Sequence, residues 1–150
     1  KYVNELKGEN SRLDGLQARI LTEKLKMLDA DNLKREQIAK IYLTELKHIK
    51  EIKLPSISRS LENVWHLFVI RIKDRDLFKS FLHSKNIETM YHYPIPPHKQ
   101  RAYFETNFDL PISERFHSEV ISLPMGPTMS DDEAIYVCKK IREYFRAINT

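Results

Sequence analysis

The stretch Val64-Trp65-His66-Leu67-Phe68-Val69-Ile70-Arg71-Ile72 fixes the class of fold. It is crowded with aromatic and β-branched side chains and holds a short apolar run, the composition of a well-buried strand. The chain before it reads differently. From Leu13 to Leu28, apolar residues fall at 13, 16, 20, 21, 25 and 28, close to helical spacing, with Asp14 placed where a carboxylate suits a helix N-terminus. A second helix follows, with Leu33, Ile38, Ile41, Tyr42, Leu46 and Ile49 on one side; Asn32 is the expected break between the two. Pro55 and the serines from Ser56 to Ser60 make a connecting loop.

Beyond the quoted stretch, short elements alternate. Asp74 is placed to cap a helix with Leu77, Phe78, Phe81 and Leu82 inward, and Ile87 to Tyr91 suggests a second strand. Pro94-Ile95-Pro96-Pro97 lacks three backbone donors and cannot be regular structure. Pro111 to Val120 reads as a helix and Ile121 to Leu123 as a strand, ended by Pro124 and Gly126-Pro127. Ser130-Asp131-Asp132-Glu133 has capping-box spacing, followed by an apolar face of Ala134, Ile135, Val137, Cys138, Ile141, Tyr144, Phe145 and Ile148. The expected fold is α/β (α+β): a short sheet of about three strands covered by helices and preceded by two long ones.

The 150 residues suit one domain with a real core, and 41% hydrophobic with 31% charged fits a folded chain. The net charge of +4 comes from 25 basic residues nearly matched by 21 acidic ones, interleaved along the chain, so nucleic acid is not an expected partner. No apolar run approaches the length of a membrane span. The single cysteine, Cys138, excludes an internal disulfide framework and fits a reducing, cytoplasmic setting. The chain opens at Lys1-Tyr2-Val3 without an initiator Met, as a piece of something longer would.

Candidate chemistry is sparse. His92 and His98 flank the proline loop, with Tyr91, Tyr93 and Tyr103 nearby. Their spacing matches no metal-ligand pattern, so no metal is expected. A rigid aromatic loop bearing histidines reads as a small-molecule pocket wall, or else as a solvated connector. His48, His66, His83 and His117 read as structural or exposed. Cys138 faces a helix core and reads as an inert thiol. With three glycines, Gly8, Gly15 and Gly126, there is no phosphate loop. No catalytic residue stands out. Asn10, Ser11 and Arg12 lie just ahead of the first helix, where they suit either an anion or a plain helix cap.

The run Gly8-Glu9-Asn10-Ser11-Arg12-Leu13-Asp14-Gly15-Leu16-Gln17-Ala18 resembles the Gly-x-Asn-x-Arg-Leu-x-x-Leu-Gln-Ala signature of the DegT/DnrJ/EryC1/StrS family of sugar aminotransferases. Val64 to Phe68, His92 to His98 and Ser122 to Met125 continue the resemblance in order. It implies the small C-terminal domain of a fold-type-I, pyridoxal-phosphate-dependent enzyme, with residues 1–30 a junction segment and 31–150 the small domain. It further implies amino transfer, usually from glutamate, to a nucleotide-linked keto sugar in polysaccharide, lipopolysaccharide or other amino-sugar biosynthesis, by a homodimer.

Under that resemblance, Asn10 and Arg12 reach the cofactor across the dimer interface, and His92, Tyr93 and His98 lie near the nucleotide sugar. The Schiff-base lysine and its acidic partner would lie upstream, in a large domain absent from this chain, leaving the chain alone inactive. A sugar dehydratase of the same family and a stand-alone protein-interaction module are the alternatives. Gly15 in place of a side chain should weaken the first helix by up to about 1 kcal/mol.

Overall fold

A computed structural model describes residues 3–8, 13–56, 63–103 and 108–148. Helices α1 (Gly15–Leu25) and α2 (Leu28–Leu46) are followed by strand β1 (Phe68–Arg71) and helix α3 (Arg75–Ser84). Two 3-10 turns, Pro97–Lys99 and Arg101–Tyr103, lead to α4 (Pro111–Glu119), strand β2 (Val120–Leu123) and helix α5 (Asp131–Ile148).

The sheet is the hinge of the architecture. β1 and β2 pair antiparallel, with Phe68 opposite Leu123 and Ile70 opposite Ile121. These four alternate residues are buried and face the helices. The intervening pairs, Val69 with Ser122 and Arg71 with Val120, belong to the other face. A third strand was expected over Ile87 to Tyr91. Among the described residues that segment contributes one bridge, Met90 to Ser122, with Ser122 N donating to Met90 O at 2.8 Å. Lys53 makes the matching single bridge to Arg71 on the far edge of β1. The sheet is therefore two strands with one bridging residue on each side.

The quoted stretch yields a shorter strand than its composition suggests. Trp65 sits at φ 50°, in the left-handed region, and its backbone N–H is taken by Asn63 Oδ1 at 3.0 Å. That conformation breaks an extended run. Trp65 is nonetheless buried and stacks on Phe68, with ring centroids 5.5 Å apart.

On the helix side, α2 and α5 run parallel. Lys34 pairs with Asp131 at 2.7 Å at one end, and Arg142 reaches Glu45 at the other. The partners lie eleven residues apart on each helix, about three turns, so both pairs fit one register. Being at least partly exposed, they specify alignment more than they add stability. The stability lies in the stripes between them: Ile38, Ala39, Tyr42 and Leu46 against Ala134, Val137, Cys138, Ile141 and Phe145, all buried. Phe78 and Leu82 of α3 complete the layer, Phe78 meeting Tyr144 and Phe145 at ring distances of 5.2 and 5.9 Å.

Several expected boundaries move. The first two helices break at Lys26 and Met27 rather than Asn32; Asp29 and Asp31 fall in the first turn of α2, where carboxylates are favoured. Asp14 caps α1, its Oδ1 accepting from Gln17 N at 2.7 Å. Gly15 is the first residue of α1, where the cost assigned to an interior glycine is reduced. Asp74 occupies the cap position of α3 without a side-chain cap bond, and Leu77 points outward, 68% exposed. Leu33, Ile135 and Ile148 are likewise exposed. The capping box of α5 forms as expected: Ser130 N donates to Glu133 Oε2 at 2.7 Å, and Glu133 N to Ser130 Oγ at 3.2 Å. Helix α1 buries no residue, and its leucines and Ile20 are exposed.

Candidate functional site

The second face of the sheet holds the proline loop and α4. His92 is fixed to β2, its Nδ1 2.8 Å from Ser122 Oγ. Tyr93 follows across a cis peptide bond, packs edge-on to His92 at 5.6 Å, and is 55% exposed. His98 lies deeper. Its side chain is 6% exposed and its Nε2 is 3.1 Å from Glu114 Oε1, an atom that also accepts from Lys99 Nζ at 3.1 Å. These two partners hold the Glu114 carboxyl below the ordinary range, His98 first and Lys99 second. The loop thus offers an exposed phenol and half-buried imidazole at one end, and a buried, carboxylate-bound imidazole at the other.

A cavity of about 360 Å³ opens beside His98, lined by Pro97, Tyr103, Phe108, Leu110 and Ser113. Its walls are mostly apolar, suiting a flat or hydrophobic group with few polar contacts. A smaller cavity of about 240 Å³ lies under the loop between Pro94, Pro96, Arg75, Lys99 and Glu114. Larger cavities of about 560 and 620 Å³ lie along α2 and at the ends of α2 and α5, and are lined by none of His92, Tyr93 and His98.

The loop is tied from three directions. Arg75, at the start of α3, donates through Nη1 to His117 O in the last turn of α4 and, at 3.2 Å, to Val120 O at the start of β2. The same guanidinium lies 4.1 Å from the centroid of the Tyr91 ring, and Tyr91 donates its hydroxyl to Asp76 Oδ1 at 2.6 Å. Burial and that carboxylate push the Tyr91 phenol up to about 12. Arg71 of β1 grips Glu119 of α4, with Nε at 3.0 Å and Nη2 at 2.6 Å, and stacks on Phe116 at 4.0 Å. From the other end of the chain, Asn4 N donates to Gln100 Oε1 at 2.9 Å, Ala102 N to Asn4 O at 2.9 Å, and Arg101 reaches Glu5 Oε1 at 3.1 Å. Gln100 is 7% exposed and also donates from Nε2 to Ile95 O at 3.3 Å, joining the N-terminal segment to the proline loop.

His92, Tyr93 and His98 are therefore brought onto one loop on one face of the sheet. Asn10 and Arg12 lie outside the described residues, although Asn4 to Lys7, just ahead of them, run along the loop. His117 is half-buried beneath the loop, its Nδ1 2.8 Å from Ser113 O, while His83 is exposed and pairs with Glu88 at 2.9 Å. Arg75, Gln100 and Glu114, which hold the loop, carry no signal in the sequence, and the run from Ser122 gives no hint of its link to His92; Glu114 lies 16 positions from His98 and Ser122 lies 30 from His92.

Cys138 is buried in the core and its thiol is pushed up to about 12, mainly by burial, so it is no nucleophile. Every described lysine is exposed or half-buried, and none sits in an enclosed site with a facing carboxylate as a Schiff-base lysine would. No metal-binding group of His, Cys, Asp and Glu occurs among the described residues, and no helix is long and apolar enough to cross a membrane.

The DegT/DnrJ/EryC1/StrS aminotransferase family model matches residues 1–142. The chain is 51% identical over 147 residues to the dTDP-3-amino-3,6-dideoxy-alpha-D-galactopyranose transaminase of Aneurinibacillus thermoaerophilus, covering 96% of this chain and 40% of that protein. It is 38% identical over 152 residues to the dTDP-3-amino-3,4,6-trideoxy-alpha-D-glucose transaminase of Streptomyces venezuelae, covering 99% of this chain and 40% of that one. Among solved structures, S. venezuelae DesV in complex with a ketimine intermediate superposes with a TM-score of 0.84 at 39% identity, over 96% of this chain and 40% of DesV. The Bacillus subtilis NtdA structure with bound cofactor PMP gives 0.72 at 32% identity, over 88% and 34%. The chain thus spans about 40% of the length of these curated relatives. It belongs to the DegT/DnrJ/EryC1/StrS aminotransferase family.

Proposed function

We propose that this chain is the small-domain portion of a pyridoxal-phosphate-dependent aminotransferase that moves an amino group, usually from glutamate, onto a nucleotide-linked keto sugar. The observation that carries the reading is the 51% identity, over nearly the whole chain, to a relative named as a dTDP-amino-sugar transaminase. The loop geometry supports it. An exposed Tyr93, an anchored His92 and an apolar cavity beside His98 together suit a ligand with sugar hydroxyls at one end and a flat base at the other.

In this reading residues 1–30 form the junction with a large cofactor domain and 31–150 the small domain. Asn10 reaches the cofactor phosphate of the partner subunit in a homodimer, Arg12 lies in the same cross-subunit position near cofactor and substrate, and His92, Tyr93 and His98 lie by the sugar nucleotide. When bound, the cofactor supplies the electron sink for amino transfer. This chain's residues orient the sugar and do not themselves bear the reacting lysine. The setting is cytoplasmic synthesis of surface polysaccharide, lipopolysaccharide or another amino sugar.

The test is to incubate the full-length protein bearing this chain with pyridoxal phosphate, glutamate and a dTDP-linked 3-keto-6-deoxyhexose, following products by mass spectrometry. Glutamate-dependent amino-sugar formation is expected. Loss of a hydroxyl with no amino group retained on the sugar points instead to the dehydratase of the same family, and a folded protein with no turnover points to an interaction module; either overturns the reading.

A further inference from the structure

We propose that Arg75 is a positioning residue for the sugar-facing loop, acting through Tyr91. The inference rests on the reading of that loop as the substrate wall.

One guanidinium joins two parts of the site that the sequence keeps far apart. Its Nη1 donates to His117 O, one of the last carbonyls of α4, which lack helical partners, and to Val120 O at the start of β2, bracing the junction between them. Its Cζ lies 4.1 Å from the Tyr91 ring centroid, and Lys79 Nζ lies 4.3 Å from the same centroid. Asp76, the next residue, accepts the Tyr91 hydroxyl at 2.6 Å and lies 3.9 Å from Arg75 Nε. The first turn of α3 therefore grips Tyr91 by its ring and by its hydroxyl.

Tyr91 directly precedes His92, which is fixed to Ser122, and Tyr93, which projects from the loop. At the loop's other end His98 rests on Glu114, a residue of α4. Arg75 thus references both ends of the loop to a single group, at Tyr91 directly and at His98 through α4. Its side chain is 12% exposed, which leaves little freedom to rearrange. The planar fork and flat face needed to bond two carbonyls and stack on a ring are properties of arginine that lysine lacks. A small shift of loop residues costs binding geometry out of proportion to the shift.

The experiment uses the full-length protein bearing this chain, with Arg75→Gln, Arg75→Lys and Tyr91→Leu. KM for the dTDP-linked keto sugar, the rate of the glutamate half-reaction without sugar, and the thermal midpoint are measured for each. Glutamate is small and reacts before the sugar enters, so its half-reaction reports an intact site that does not need the loop. For Arg75→Gln the expected result is a sugar KM raised roughly tenfold or more, with the glutamate half-reaction unchanged. Arg75→Lys recovers part of the loss. Tyr91→Leu, which keeps the carbonyl bonds of Arg75 and removes its ring, reproduces the same signature; it carries the test if Arg75→Gln does not fold.

A folded Tyr91→Leu or Arg75→Gln protein with unchanged sugar KM overturns the inference. So does a loss shared equally by both half-reactions, the mark of a merely structural role. Absence of any amino-sugar product from the unmodified protein overturns the functional reading, and this inference with it.

Discussion

Tyr42→Phe isolates one polar contact at the centre of the core. Tyr42 is fully buried, its ring lies 4.9 Å from that of Phe68, and its hydroxyl donates to Pro124 O at 2.8 Å with Met129 Sδ 3.8 Å away. Phenylalanine keeps the ring and orphans the carbonyl. A neutral hydrogen bond contributes about 0.5–1.5 kcal/mol net, and a stranded buried group costs about 1–3. Pro124 is itself only half-buried, which places the expected loss toward the lower end, near 1 kcal/mol.

Tyr42→Ala also removes the ring and should cost about 3–5 kcal/mol, so the hydroxyl accounts for the smaller share. Urea unfolding followed by circular dichroism should show a lower midpoint for Tyr42→Phe at unchanged slope. A pH series adds a second reading. Burial raises the phenol in the folded chain above its ordinary 10.0. The unfolded chain therefore ionises first as pH rises past that value, and this contribution to stability is present below pH 10 and falls away above it. Phenylalanine has no such term, so the gap between the two proteins should narrow from pH 9 to 11. Equal stability at pH 7, or a gap that widens with alkali, refutes the reasoning.

Three further outcomes are expected. The Glu133 carboxyl is held low by the Ser130 backbone N–H and then its hydroxyl, so its contribution is present above the ordinary value of 4.5 and lost as pH falls; Glu133→Ala should be less stable at pH 7, with the difference shrinking toward pH 3 in thermal melts. Cys138 should resist maleimide at pH 7.5 and label fully in urea, and stoichiometric labelling of the folded chain would remove it from the core. Asn10→Ala in the full-length protein should weaken retention of pyridoxal phosphate on dialysis, and an unchanged affinity takes Asn10 out of the cofactor site.

How much of this was legible depended on the range of the signal. Local chemistry read through well: the Ser130–Glu133 box, the Pro111 start of α4, and the short β2 ahead of Pro124 all stand where the sequence put them. Tertiary choices did not. Trp65 has the composition of a strand residue, but it turns into the left-handed region to stack its indole on Phe68. Leu77 fits an inward helical position, yet Phe78 and Leu82 take the face toward α5. Ile87 to Tyr91 looks like a strand because Ile87 is buried, while the segment touches β2 at Met90 before turning into the proline loop. At the site, the loop histidines were visible because prolines frame them. Their contacts were invisible, since Ser122, Glu114 and Arg75 reach the loop through folding rather than through spacing.

The single-residue bridges at the two sheet margins bear on self-association. An uncovered strand margin offers a row of unpaired amides and carbonyls to any passing extended chain. Here Lys53 occupies Arg71 on one margin, and Met90 occupies Ser122 on the other, each exchanging both of its backbone bonds. Each bridging segment leaves after one residue, so it presents no further ladder to extend. A sheet this small, rich in Ile, Val and Phe, would otherwise be a template for cross-chain pairing. Each bridge takes one outward-facing residue out of the edge and shortens what is open to a passing strand.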